Sequence, residues 1–323
     1  LNQELFIFAK NIACWLLEYM TENKVLIALA GPTGSGKTAL AIRLAETLGA
    51  DIISADSRQI YREMRIGTAR PNDEQMNRIQ HYFIGNVSIR DNYNAGRYES
   101  EVLDFLTKYY RDKNIAILCG GTGLYLEAVL TGLDEFPDID EAISASVQSD
   151  MQSKGLKFLQ EELKQMDPAY HMRVDLNNPH RVMRAVAVIR QSGIAFSDFL
   201  QKKKERRTFS IIRLAIDLPR AVLYERINAR VDVMIENGLI EEARQLYGYR
   251  NYKALQTVGY KELFEHFGGL ITLDEAIELI KRNTRRYAKR QLTWFRNKGN
   301  WISIDPKDEQ RIMELIISKI SVN

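Results

Sequence analysis

Residues 24–38 read KVLIALAGPTGSGKT, an apolar run closed by a glycine-rich turn, and a helical pattern, TALAIRLAETLG, follows directly. Gly31, Pro32, Thr33, Gly34, Ser35, Gly36, Lys37 and Thr38 fit G-x-x-x-x-G-K-[ST] in full. With average residue usage such a match arises somewhere in a chain this long about once in a hundred sequences. Its place between a strand and a helix is the setting that a phosphate-binding loop requires. The glycines let backbone N–H groups turn inward around phosphate oxygens, and the helix N-terminus adds its dipole. Lys37 supplies a mobile positive charge, and Thr38 can place its hydroxyl on Mg²⁺. The motif points to a diphosphate or polyphosphate ligand, not to a reaction. An ATPase, a small-molecule kinase and a diphosphate-releasing transferase all remain open.

The rest of the chain extends the strand–helix alternation. ADIISADS (50–57), NIAILCG (114–120), FSIIRLAIDL (209–218) and WISID (301–305) are short apolar runs of strand type, and helical patterns follow the second and third. Alternation of this kind predicts an α/β fold, a P-loop NTPase-like parallel sheet flanked by helices, with ligands at the strand C-termini. Between 136 and 205 no comparable strand pattern occurs, and the segment reads as a helical insertion domain. The expected organisation is an N-terminal extension over 1–20, helical in pattern, a core of 21–135 with 206–323, and the insertion between them.

Composition excludes several classes. With 45% hydrophobic and 27% charged residues among 323, the chain is of globular type and disorder is not expected. A net charge of +3 does not mark a nucleic-acid binder by itself, so the clustering of charge decides. Two cysteines, Cys14 and Cys119, make no disulfide framework and no zinc finger, and four scattered histidines lack metal-site spacing. Cys119 reads as a small buried side chain rather than a nucleophile. No apolar stretch approaches the ~20 residues of a membrane span, and FIFAKNIACWLLEYM near the start is a poor signal peptide. A monomer in a reducing cytoplasm, with no membrane partner, is expected.

Two further motifs lie at strand ends. ISADSRQIYR (53–62) brings Asp56 near the phosphate loop, although an acid there can equally cap a turn. CGGTGLY (119–125) offers glycines for close backbone approach and the Thr122 hydroxyl, and a simple tight turn is its plainer reading. KRNTRRYAKR (281–290) sets Arg282, Arg285, Arg286, Lys289 and Arg290 largely along one helical face, with Tyr287, Trp294 and Phe295 interleaved. Such a face is either solvated or in contact with an RNA backbone. KKKERR (202–207) reads at least as well as a solvated linker.

Together, GPTGSGKT, ADSRQIYR and GGTGLYLEAVLTGL resemble the tRNA dimethylallyltransferase (isopentenyltransferase) family. So do NPHRVMRAVAVIRQSG (178–193), RINARVDVMIENGLIEEARQL (226–246), LQTVGYKEL (255–263) and TRRYAKRQLTWFR (284–296). The resemblance spans about residues 25 to 300. It implies that the P-loop, Gly31 to Thr38, holds the diphosphate of dimethylallyl diphosphate rather than ATP, with Mg²⁺ on Thr38 and with Arg230 as a second cation beside Lys37. It makes Asp56 the general base on the exocyclic amine of adenosine 37 in tRNAs that read U-starting codons. Thr122 would position that amine or the allyl donor. The residues it turns toward the tRNA anticodon stem–loop are Asp56, Ser57, Arg58 and Gln59; His180, Arg181, Val182, Met183 and Arg184; and Gln256, Gly259, Tyr260 and Lys261. Arg282, Arg285 and Arg286 join them through the basic helix.

The chemistry is coherent without the family. Charge developing on the bridging oxygen of an allylic diphosphate suits Lys37, Arg230 and Mg²⁺. A weakly nucleophilic purine amine suits a carboxylate that takes its proton, and a stacked base must be flipped out to reach such a pocket. The chain departs from the family at Tyr82, where a second histidine often follows His81, and at Ser144, where an arginine near the tRNA is common. It also lacks the Cys/His pairs of a C-terminal zinc finger. An adenylate isopentenyltransferase acting on free AMP or ATP remains a rival, as does a P-loop kinase or RNA-binding module. The long basic helices and the insertion favour tRNA.

Overall fold

The apolar runs form a six-stranded, wholly parallel sheet in the order β3-β2-β4-β1-β5-β6. The strands are β1 (Val25–Ala30), β2 (Asp51–Ser54), β3 (His81–Tyr82), β4 (Ile115–Gly120), β5 (Ser210–Ile216) and β6 (Ile302–Ile304). The computed structural model describes residues 23–200 and 206–321. The extension expected over residues 1–20, Cys14 and the run Lys202–Glu205 lie outside them. Five strands coincide with the sequence pattern. β3 does not: two residues at a sheet edge, His81 opposite Ile52 and Tyr82 opposite Ile53, are too few to show any periodicity.

Alternation along β1 builds two cores. Val25, Ile27 and Leu29 face one side with Ile52, Ile117 and Leu214, under helices α1 (Lys37–Leu48) and, near the chain end, Glu309–Ser321. Leu26, Ala28 and Ala30 face the other with Ile53 and Leu118. There they meet Tyr98, Val102 and Leu106 of Ala95–Tyr109, and Leu126 and Val129 of Gly123–Thr131. A strand buried on both faces is what a parallel sheet demands. Along α1, Leu40, Ala41, Leu44, Ala45 and Leu48 repeat at helical spacing, and left-handed Gly49 ends the helix.

The remaining helices in chain order are α2 (Asp73–Arg78), α3 (Ala95–Tyr109), α4 (Gly123–Thr131), α5 (Glu141–Met166), α6 (Pro168–His171), α7 (Pro179–Ser192), α8 (Phe196–Phe199), α9 (Arg220–Glu236), α10 (Leu239–Leu246), α11 (Tyr260–Phe267), α12 (Leu273–Asn297) and α13 (Glu309–Ser321). α12 opens on a capping box, Thr272 with Glu275, and buries Ala276, Ile280, Ala288, Gln291, Leu292 and Phe295. A third core joins α10, α11 and α12 through Leu246, Tyr260, Leu263 and Ile280.

The chain divides into two compact units, one running to Leu130 and resuming at Arg207, the other Thr131–Arg206. The second unit has its own core, in which Leu159 and Leu163 of α5 pack with Val182, Val186 and Ile189 of α7. Gly155 breaks α5 with φ +78°. Arg190 ties α7 to α5 by ion pairs with Asp150 and Glu162. Arg207, read from sequence as part of a solvated linker, is only 11% exposed in its side chain. It pairs with Glu99 and donates to the Ala128 and Val129 carbonyls. A cation so placed is bound into the core unit. Among the described residues no helix is long and apolar enough to cross a membrane.

The loops after β2 and β4 converge closely. Ala55 N–H donates to the Cys119 carbonyl at 2.8 Å, Thr122 N–H donates to the Ala55 carbonyl at 3.2 Å, and a Cβ on Gly120 would run into that carbonyl. Gly120→Ala is therefore expected to cost about 1–3 kcal/mol, read as a lower urea midpoint. An unchanged midpoint would show that the two loops separate freely.

Candidate active site

The P-loop runs from the end of β1 into α1, with Gly34 at φ +80° and Gly36 at φ +90°, conformations that side chains resist. Inside it, Ser35 N–H and Lys37 Nζ donate to the Pro32 carbonyl at 3.3 and 2.7 Å. The Lys37 residue keeps some exposure to the cleft, but its ammonium is enclosed by protein atoms. That desolvation lowers its pKa to about 8; Cys119 and Asp56 pull it up and Arg230 pushes it further down. Burial pushes the Cys119 thiol to about 11, so at neutral pH it is uncharged, in line with the expectation that it is no nucleophile.

Asp56 leaves the end of β2 with Oδ1 accepting from the backbone N–H of Arg58 at 2.9 Å and of Gln59 at 3.3 Å. The turn thus holds one carboxylate oxygen, and among the described residues the other has no hydrogen-bond partner. Arg58 and Gln59, expected to face tRNA, direct their side chains inward. Arg58 Nη2 donates to the Gly67 and Val258 carbonyls, and Gln59 Nε2 to those of Thr68 and Ala69. Ala69 has φ +50°, a left-handed conformation uncommon for alanine, and its carbonyl also accepts from Arg230 Nη2 at 3.2 Å. Arg230 Nη1 reaches Thr33 Oγ1 at 3.3 Å, and burial lowers the Arg230 pKa.

Lys37, Thr38, Asp56 and Arg230 line one solvent-open cleft of about 700 Å³, together with Thr33, Arg58, Gln59, His81, Cys119, Gly120, Tyr287 and Gln291. A second cavity of about 480 Å³ shares Thr33, Arg58, Thr68, Arg230 and Tyr287 with it and adds the apolar Ile227, Val231, Met234, Leu239 and Ile280. Thr122 is not on either lining. Its Oγ1 accepts from Ser57 N–H at 3.0 Å and lies 3.2 Å from Ser57 Oγ, so the hydroxyl braces the turn after β2.

Sequence reasoning missed Gln291. It is 6% exposed, its Oε1 accepts from Thr33 N–H at 2.9 Å, and its Nε2 donates to the Gly121 carbonyl at 2.8 Å. The signal was present: an amide on the apolar stripe of α12 between Ala288 and Phe295 needs partners in the core. His81 is likewise buried, with Nδ1 2.7 Å from the Ile79 carbonyl and a lowered pKa caused by burial.

The other expected tRNA-facing residues divide. His180, Arg181 and Arg184 are exposed on α7 and Met183 is half-buried, whereas Val182 is fully buried in the core of the second unit. Gln256 and Lys261 are exposed, and Gly259 is buried with its N–H donating to Glu262. Tyr260 is fully buried, its hydroxyl donating to Glu242 at 2.6 Å. Val182 and Tyr260 are thus corrected from surface contacts to core residues: an apolar side chain and a tyrosine with a buried partner are both more stable inside. On α12, Arg282 and Arg286 are exposed with Lys289 and Arg290, while half-buried Arg285 donates to Asn228 Oδ1 at 2.6 Å.

Comparison with known proteins yields a consistent set. The family model described as IPP transferase matches residues 59–298. A tRNA dimethylallyltransferase of Flavobacterium johnsoniae is 45% identical, over 92% of this chain and 98% of its own length. Among solved structures, a tRNA isopentenylpyrophosphate transferase from Bacillus halodurans superposes with a TM-score of 0.69 at 35% identity, covering 93% of this chain and 97% of that one. A eukaryotic dimethylallyltransferase acting on tRNA gives a TM-score of 0.77 at 26% identity, covering 93% and 80%.

The lowered Lys37 pKa has a consequence for anion binding. The ammonium loses its proton as pH rises through about 8. An anion that needs the charged form must then bind together with a proton, so affinity for an allylic diphosphate is expected to fall above pH 8, by up to about tenfold per unit. Isothermal titration from pH 7 to 10 measures this, and Lys37→Arg, charged throughout, should flatten the curve. A wild-type affinity independent of pH over that range would contradict the assignment.

Proposed function

Given that the chain belongs to the tRNA dimethylallyltransferase (IPP transferase) family, we propose that its cleft moves a dimethylallyl group from dimethylallyl diphosphate to N6 of adenosine 37 in tRNA. The observation that carries this reading is the placement of Lys37, Thr38 and Arg230 in the same cleft as Asp56, whose second carboxylate oxygen is unpartnered among the described residues. The substrates are tRNAs that read U-starting codons.

The P-loop N–H groups, Lys37 and Arg230 bind the diphosphate. As the C1–O bond breaks and the C1–N6 bond forms, they stabilise the charge that collects on the departing oxygens. Asp56 accepts the proton that N6 gives up, its orientation fixed by the N–H groups of Arg58 and Gln59. Thr38, on the cleft lining, offers a hydroxyl, a hard oxygen donor of the kind Mg²⁺ takes. Thr38 would hold the ion with the oxygens of the diphosphate itself, where it would neutralise leaving-group charge. Adenosine 37 must leave its stack to enter, at a cost of a few kcal/mol. Phosphate contacts from the exposed Arg282 and Arg286, and from His180, Arg181 and Arg184, offset that cost.

Incubation with unmodified tRNA, Mg²⁺ and dimethylallyl diphosphate is expected to give N6-dimethylallyladenosine in nucleoside digests analysed by mass spectrometry. Preference for AMP over tRNA in direct competition would instead favour a free-nucleotide enzyme. Asp56→Ala is expected to lower kcat by about 10²- to 10⁴-fold with donor affinity largely kept, since it removes the base and leaves the phosphate cradle. Normal turnover would exclude Asp56 as the base.

A further inference from the structure

Tyr287 stands where the two cavities meet, and among the described residues lining them it supplies the only six-membered aromatic ring. The others common to both linings, Thr33, Arg58, Thr68 and Arg230, are polar. Polar and charged neighbours surround the ring. Arg290, which lines neither cavity, lies over it with the guanidinium carbon 5.6 Å from the centroid. Asp56, Arg58 and the Thr122 hydroxyl are close enough to act on the phenol electrostatically. One helical turn further along α12, Gln291 ties the same helix to the P-loop through Thr33 N–H.

An aromatic face is how proteins commonly hold an unstacked base, and one such stack is worth roughly 5- to 150-fold in affinity. The geometry points to Tyr287 as the platform for the extruded adenine: the purine lies against the cleft-facing side of the ring with its amine toward Asp56, and Arg290 covers the other side. This rests on the reading that the substrate is a tRNA adenosine. Thr122 then serves the amine indirectly, as a positioning residue that orients the Tyr287 ring and braces Ser57. Burial and the neighbouring Asp56 charge raise the phenol pKa, so the ring stays neutral at physiological pH.

An anticodon stem–loop carrying 2-aminopurine at the target adenosine tests this, because its emission rises when the base leaves the RNA stack and falls when it stacks on an aromatic ring. The wild-type protein is expected to bind this RNA with quenched emission, and Tyr287→Phe to keep the quenching. Tyr287→Leu should bind with emission severalfold higher and lose about tenfold in kcat/KM for tRNA. Its affinity for dimethylallyl diphosphate should stay within about twofold of wild type, which separates a lost platform from a misfolded site. Equal emission from the wild-type, Phe and Leu proteins would overturn the proposal, as would a Phe protein as bright as the Leu protein. Failure of the wild-type protein to form dimethylallyladenosine would count against the functional reading itself, which is a separate result.

Discussion

The site depends on the close approach of two backbones over the end of β4. β4 lies between β1, which carries the P-loop, and β2, which carries Asp56, so the phosphate cradle and the carboxylate sit two strands apart. A side chain on Gly120 would collide with the Ala55 carbonyl and lift the Asp56 turn away from β4. Without one, the loop after β2 lies directly on β4, bonded through Ala55 and Thr122. The topology supplies the positions, and the missing Cβ lets the two chemical halves share a cleft.

Electrostatics in that cleft are unbalanced in a way that suits an anionic ligand. Lys37 and Arg230 are both desolvated, Arg230 pushes the Lys37 pKa further down and Arg58 that of Arg230, with Asp56 as the opposing charge for both. Buried cations facing one another are costly until an anion arrives. A diphosphate removes that penalty, so its binding energy is directed at the group that must later leave.

The fold was legible where physics is local. Continuous apolar runs marked five strands, the P-loop fixed the first crossover, and the α1 and α12 stripes followed helical spacing. What was not legible depends on partners distant in sequence. The apolar stripe of α12 signals that Gln291 needs a partner in the core, but that partner, Thr33, lies 258 positions away and is not named by any local pattern. Arg58 and Gln59 read as surface polar residues but hold the turn at 67–69. Tyr260 and Val182 sit inside polar motifs, where a motif reading assigns every member the same outward role although helical geometry sends some inward. Arg207 closed a run of charges whose other members gave no hint that it binds Glu99.

On the proposed mechanism, diphosphate leaves from one side of the reactive carbon while the amine, with Asp56 taking its proton, attacks from the other. The stereochemical course at C1 tests it most directly, using donor made chiral there with deuterium and analysing the configuration of the dimethylallyladenosine formed. Direct displacement in a single cleft predicts inversion. Retention would mean a covalent intermediate on the protein or attack from the face the diphosphate leaves, and either excludes opposite-side displacement.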